Sequence, residues 1–150
     1  MELKIKPLSP LLGKEIEYPA YATDGSAGMD LRACMEAPVT IPAGERAMIP
    51  TGLAIALPGA EWVALVYARS GLAIKHGLAP ANCVGVIDSD YRGEVMVGLL
   101  NSSKEDYTIQ PGERIAQLVI TPVTQARITV VDTLDDTGRG QGGFGSTGKV

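Results

Sequence analysis

Glycine and proline recur along this chain at intervals too short for long helices. Pro42-Ala43-Gly44, Pro50-Thr51-Gly52 and Pro58-Gly59 set successive prolines eight residues apart, and Pro111-Gly112 and Pro122 continue the punctuation. Both residue types break helices and mark turns, and together they fill 28 of the 150 positions (18 Gly, 10 Pro). Between the turns lie residues 47–50, 61–68, 94–100, 115–122 and 127–131, rich in Val, Ile and Leu with partial alternation. This pattern predicts short strands joined by tight turns. It makes the chain all-β: a jelly-roll β-sandwich or barrel with at most one short helix, over residues 70–76. With 45% apolar residues in a chain of 150, one domain can bury an adequate core without staples. No internal repeat or linker interrupts it.

Thirteen cationic side chains against seventeen anionic ones leave a net charge of −4. That balance speaks against a nucleic-acid surface, which is usually basic, but not against a nucleotide met by a few convergent cations. No stretch reaches the ~20 apolar residues of a spanning helix. Lys4, Lys6, Pro7, Pro10 and Lys14 interrupt the first eighteen residues, so no secretory signal and a cytoplasmic location are expected. Cys34, Cys83 and the single His76 are too few for a His/Cys zinc site. The two thiols are expected to be free and buried. Asn101-Ser102-Ser103 fits a glycosylation sequon that, without a signal, is incidental.

Five segments carry residues of chemical interest. Residues 27–31 (Ala-Gly-Met-Asp-Leu) hold Asp30 in a turn-like context. Arg69-Ser70-Gly71 sets a guanidinium, a hydroxyl and a permissive glycine together, a trio suited to an oxyanion or equally to a surface turn. Residues 85–94 place Asp88 and Asp90 two apart, where they would share one face of a strand. Paired carboxylates can hold a metal or activate water, or simply form an acidic turn. A calcium loop is disfavoured, because Arg92 and Leu99 stand where such a loop wants acidic or amide ligands. In residues 112–118, Gln117 is a polar residue in an apolar strand, facing either solvent or an inward partner. The tail holds six glycines between 138 and 148 together with Phe144, the only phenylalanine. Gly143 to Lys149 matches the start of a Walker A loop, but neither a preceding strand nor a following helix supports a P-loop. Closely spaced glycines can still wrap phosphate oxygens with backbone N–H groups. The tail is either a stray Gly-rich end or a lid that closes by stacking Phe144.

In this order and spacing the five segments resemble the motifs of the trimeric deoxyuridine triphosphatase (dUTPase) family, at residues 27–31, 69–73, 85–94, 112–118 and 139–148. Flanking Pro50-Thr51-Gly52-Leu53 and Lys75-His76-Gly77 agree, while Ala68 departs from the proline usual before Arg-Ser-Gly. The resemblance implies a β jelly-roll domain over residues 1–137. A mobile Gly-rich C-terminal arm, 138–150, would close over an active site at a subunit interface of a homotrimer. It implies hydrolysis of dUTP to dUMP and pyrophosphate, which keeps uracil out of DNA and supplies dUMP for thymidylate synthesis. Mg2+ would be held by the substrate's phosphates and waters, with no direct protein ligand.

Position by position, the resemblance makes Asp88 the carboxylate that deprotonates the attacking water and Asp30 a supporting carboxylate near the phosphates and the metal's waters. Asn82, Gly85, Val86, Ile87, Tyr91, Met96 and Phe144 would receive uracil and deoxyribose. A narrow backbone hairpin would exclude a 5-methyl group, Tyr91 would lie under the sugar, and Phe144 would stack on the base. Arg69, Ser70, Gly71, Gln117, Arg139, Gly143, Gly145 and Ser146 would bind phosphates. The implied partners are dUTP and two further copies of the chain, with no nucleic acid and no membrane. One alternative is a dCTP deaminase-like enzyme of the same superfamily, which needs a catalytic Glu in the pocket; only Glu94 stands near the base-reading segment. A zinc deaminase lacks its H-x-E and P-C-x-x-C signatures here. A non-catalytic nucleotide-binding module or a purely structural jelly roll are the readings from other classes.

Overall fold

The computed structural model describes residues 1–143. Its strands are β1 (Lys4–Pro7), β2 (Met29–Arg32), β3 (Val39–Ile41), β4 (Arg46–Pro50), β5 (Leu53–Ala56) and β6 (Trp62–Tyr67). One helix, α1 (Ser70–His76), follows, and then β7 (Leu78–Pro80), β8 (Gly85–Ile87), β9 (Met96–Asn101), β10 (Tyr107–Ile109) and β11 (Arg114–Pro122). The Pro-Gly pairs fall at strand ends as expected. Gly44, Gly52 and Gly112 adopt positive φ in turns, the backbone region where glycine alone is unstrained.

Strand pairing is antiparallel throughout, in the orders β1-β5, β10-β3, β2-β11-β6-β8 and β4-β9-β7. One contiguous core draws on every sheet: Leu53 and Ile55, Ile41 and Ile109, Leu31 and Leu118, Ile49 and Leu99. In β2 the burial alternates, Met29 and Leu31 inward, Asp30 and Arg32 outward, the period-two signature of a half-buried strand. Gly77 ends α1 in the left-handed conformation (φ 69°) and donates its N–H to Ala73 and Leu72 carbonyls, closing the helix.

Four sequence expectations differ from the structure. Residues 127–131 form no strand among the described residues. The chain leaves the body where the Val123 N–H donates to the Glu61 carbonyl (2.8 Å), and beyond it Ile128 and Val130 are 87% and 92% exposed. An alternating apolar run becomes a strand only where an edge receives it, and β11 is already flanked by β2 and β6. Cys34 is buried as expected, but Cys83 is exposed. It occupies a tight turn at φ 63°, braced by its own N–H to the Pro80 carbonyl and by the Val84 N–H to the Asn82 carbonyl. Asp88 and Asp90 do not share a strand, because β8 ends at Ile87. Finally, the expected base-reading hairpin running to Tyr91 has no second strand: β8 bonds to β6, whereas β9 bonds to β4 and β7, so the connection passes from one sheet to the other. The sequon is ruled out by burial, since Asn101 is 0% exposed and its Nδ2 donates to the Ile41 and Glu105 carbonyls.

Candidate active site

Where β8 and β9 part company a cleft of about 360 Å³ opens. Its walls include Asn82, Gly85, Val86, Ile87, Asp88, Tyr91 and Met96, all of the nucleoside-side residues expected from the sequence within residues 1–143. Gly85 allows β8 to lie close over β6, since a Cβ there would stand 3.1 Å from Val66 Cβ. The turn after β8 is closed by the Tyr91 N–H donating to the Asp88 carbonyl (3.2 Å). Arg92 fastens it by donating to the Ser89 and Tyr91 carbonyls (2.7 and 2.8 Å). Asp88, exposed at the mouth, therefore sits on a braced turn with access to solvent.

Met48, Val66 and Gly98 also line the cleft and were not foreseen; Glu94, the one Glu near the base-reading segment, lines it too. Met48 pairs with Gly98 across β4 and β9, and its Sδ lies 3.0 Å from where a Gly98 Cβ would be. The signal that could have found Met48 is its place beside buried Ile49 on a strand, which turns it away from the core. Glu94 puts a second carboxylate in the wall, but its Oε1 accepts the Gly52 N–H (2.8 Å).

A second cluster is built on the outer face of the large sheet. Gln117 of β11 registers with Asp30 of β2 on one side and with Tyr67 of β6 on the other, so the three share one row. Arg69 follows β6 in extended conformation and precedes α1. Its Nε donates to Asp30 Oδ1 (2.8 Å) and a terminal nitrogen to the Arg114 carbonyl (3.3 Å), while Arg114 donates to Asp30 Oδ2 (3.1 Å). One carboxylate thus braces two guanidiniums, leaving a net positive charge in a cleft of about 250 Å³ that Arg69, Gly71, Lys75 and Arg114 help to line. Ser70 and Gly71 open α1, whose first turn has no side-chain cap. Arg114 was not among the expected site residues; only the β2–β11 register brings it to Asp30.

Beside this cluster, Tyr107 donates to Glu113 Oε1 (2.6 Å) and its ring packs at 4.9 Å from that of His76. Burial, then the hydrogen bond and charge of Glu113, push the Tyr107 phenol up to about 12.

The two clefts share no lining residue, and strand register explains why. Ile87 pairs with Ala64 and Gly85 with Val66, so β8 runs away from the Arg69 end of β6. Ile87, the last residue of β8, lies opposite Ala64, five residues from Arg69, or roughly 16 Å at about 3.3 Å per extended residue, and Asp88 follows it into the turn. In the tail, Arg139 lies in an exposed turn where its Nε donates to the Gly142 carbonyl (2.7 Å), and Gly143 is half-buried. Phe144, Gly145 and Ser146 lie outside the described residues. Among the described residues no three His, Cys, Asp or Glu side chains converge as a metal site, and no helix is long and apolar enough to cross a membrane.

Against known proteins, a family model described as dUTPase matches residues 14–148. The deoxyuridine 5'-triphosphate nucleotidohydrolase of Hahella chejuensis is 57% identical over 146 residues, covering 97% of this chain and 96% of that protein. The enzyme of the same name from Paraburkholderia phymatum is 51% identical and covers 99% of both chains. Among solved structures, the dUTPase of Staphylococcus bacteriophage 80alpha with dUPNHPP superimposes with a TM-score of 0.85 at 29% identity over 98% of both chains.

Proposed function

The chain belongs to the dUTPase family, and from that premise we propose that it is a dUTP diphosphatase of jelly-roll fold, converting dUTP and water to dUMP and pyrophosphate. The observation that carries this reading to particular residues is the single cleft that gathers Asp88 with Asn82, Gly85, Val86, Ile87, Tyr91 and Met96. Asp88 accepts a proton from a water at the cleft mouth, and the resulting hydroxide attacks the α-phosphorus in line. The bond from that phosphorus to the α,β-bridging oxygen breaks, and pyrophosphate carries the charge away. Arg69, with Ser70, Gly71 and Gln117, meets the phosphate oxygens, and a guanidinium already braced by Asp30 spends no further rearrangement in doing so. Mg2+, held by the triphosphate of the substrate, would neutralise part of its charge. Both Asp30 oxygens are taken by arginines, so this carboxylate would not be a direct ligand of the ion.

The active unit in this reading is a cytoplasmic homotrimer whose sites are shared. Within one chain the cleft of Asp88 and the cluster around Arg69 share no lining residue, and in this reading the Arg69 of a second copy completes the site. Residues 138–150 form the arm of the proposal, with Arg139, Gly143, Gly145 and Ser146 toward the phosphates and Phe144 over uracil. A deaminase reading is disfavoured by Glu94, whose carboxylate is committed to a backbone amide of the wall.

The test is pyrophosphate release from dUTP, dTTP, dCTP and UTP with Mg2+. Turnover of dUTP exceeding the others by about 10²-fold or more is expected, because unpaired polar edges reject strongly. Equal turnover of all four would sink the assignment.

A further inference from the structure

Tyr91 lies in the cleft with its hydroxyl turned to the protein. Its Oη donates to the Glu94 carbonyl (3.0 Å), and the ring lies over Gly93. A Cβ on Gly93 would stand 2.3 Å from that Oη and 2.6 Å from Cζ, so the ring takes its position only because residue 93 has no side chain. Residue 94 is itself fastened. Its Oε1 accepts the Gly52 N–H (2.8 Å), and the next residue donates its N–H to the Leu53 carbonyl (2.8 Å) while its own carbonyl accepts from the Thr51 hydroxyl. Gly52 is fixed in turn: its φ is 70° and its carbonyl accepts the N–H groups of Leu8 and Ser9. The chain of contacts runs from the buried turn between β4 and β5, through one carboxylate, to the ring at the sugar end of the cleft.

We infer that Glu94 is a positioning residue that fixes Tyr91 and thereby sets the choice of deoxyribose over ribose. This rests on the proposed dUTP hydrolysis and assigns the Glu94 carboxylate a role through its bond to the Gly52 amide rather than in the reaction itself. A ring held against Gly93 presents one rigid surface, and rigidity is what turns a 2′-hydroxyl into a clash or a buried, unpartnered polar group. A ring free to tilt accommodates it.

The experiment measures kcat/KM for dUTP and UTP in the parent, Glu94→Ala, Glu94→Gln and Gly93→Ala, with a thermal melt of each. Glu94→Ala should raise the UTP-to-dUTP ratio about tenfold, the size of a coupling between residues in contact, mainly through a higher KM for dUTP. Glu94→Gln should stay within about twofold of the parent, because its amide oxygen still accepts from Gly52. Gly93→Ala displaces the ring without touching the Gly52 contact, and it should shift the ratio in the same direction even if Glu94→Ala fails to fold. An unchanged ratio in folded Glu94→Ala or in Gly93→Ala overturns the inference. So does a Glu94→Gln as permissive as Glu94→Ala. A parent that releases no pyrophosphate from dUTP overturns the proposed function with it, whereas an active parent with insensitive variants overturns this inference alone.

Discussion

Asp88 owes its position to a strand that stops one residue earlier and a turn that Arg92 ties shut. Nothing in that turn depends on the Asp88 charge, so Asp88→Asn should fold and bind a non-hydrolysable analogue like the parent while kcat falls about 10²–10⁴-fold, the worth of a general base. Single-turnover pyrophosphate release beside calorimetric binding separates the two. Tyr107 makes a different prediction. Its phenol, raised from 10.0 to about 12, favours the folded state while protonated. That contribution is whole below pH 10 and is lost as pH climbs from 10 to 12. Stability measured across that interval should fall more steeply in the parent than in Tyr107→Phe; identical slopes would mean that the Tyr107 phenol is not the source of the fall. Asp88, Tyr91 and Arg69 were legible in the sequence because their chemistry is local to short motifs. Arg114 and Met48 were not, nor was the bond of Glu94 to Gly52, since each depends on a partner tens of residues away: Asp30, Gly98 and Gly52.

Among the elements, the β4–β5 turn carries more than its two strands. Gly52 is there because a Cβ would stand 2.4 Å from Cys34 Sγ at a φ of 70°, and because its amide must face Glu94. Gly52→Ala combines backbone strain with a core clash and should cost about 2–4 kcal/mol, read as a lower urea midpoint at unchanged m-value. A loss under about 0.5 kcal/mol would mean that the turn relaxes freely. Strands β4, β6, β9 and β11 were legible from the Pro-Gly spacing because turns are a property of a few adjacent residues. Pairing was not. The segment running to Tyr91 reads as a hairpin in one dimension, yet β8 pairs with β6, and β9 beyond it pairs with β4 and β7. Residues 127–131 have a strand's alternation and, within the described chain, no edge to use it on.

At the scale of the molecule, the separation of the Asp88 and Arg69 clefts within one chain is what the proposed trimer answers. Light scattering should report about three times 15.7 kDa. Asp88→Asn and Arg69→Ala chains, each inactive alone, should regain about a quarter of parental turnover when refolded together in equal amounts, because a random closed ring gives one site in four both intact groups. No recovery would place both groups of a site on one chain. The extended segment after β11 has a bearing on how such a protein is made. A newly synthesised copy displays Ile128, Val130 and Leu134, each more than 85% exposed, on backbone without a ladder. A short apolar run with free N–H and C=O groups is the template on which strangers as well as sisters can add. Between leaving the ribosome and meeting its own kind, the chain is a solubility hazard. Slow synthesis at low temperature should therefore recover more protein than fast synthesis when warm, and charges placed at positions 128 and 130 should protect the free chain while hindering its assembly.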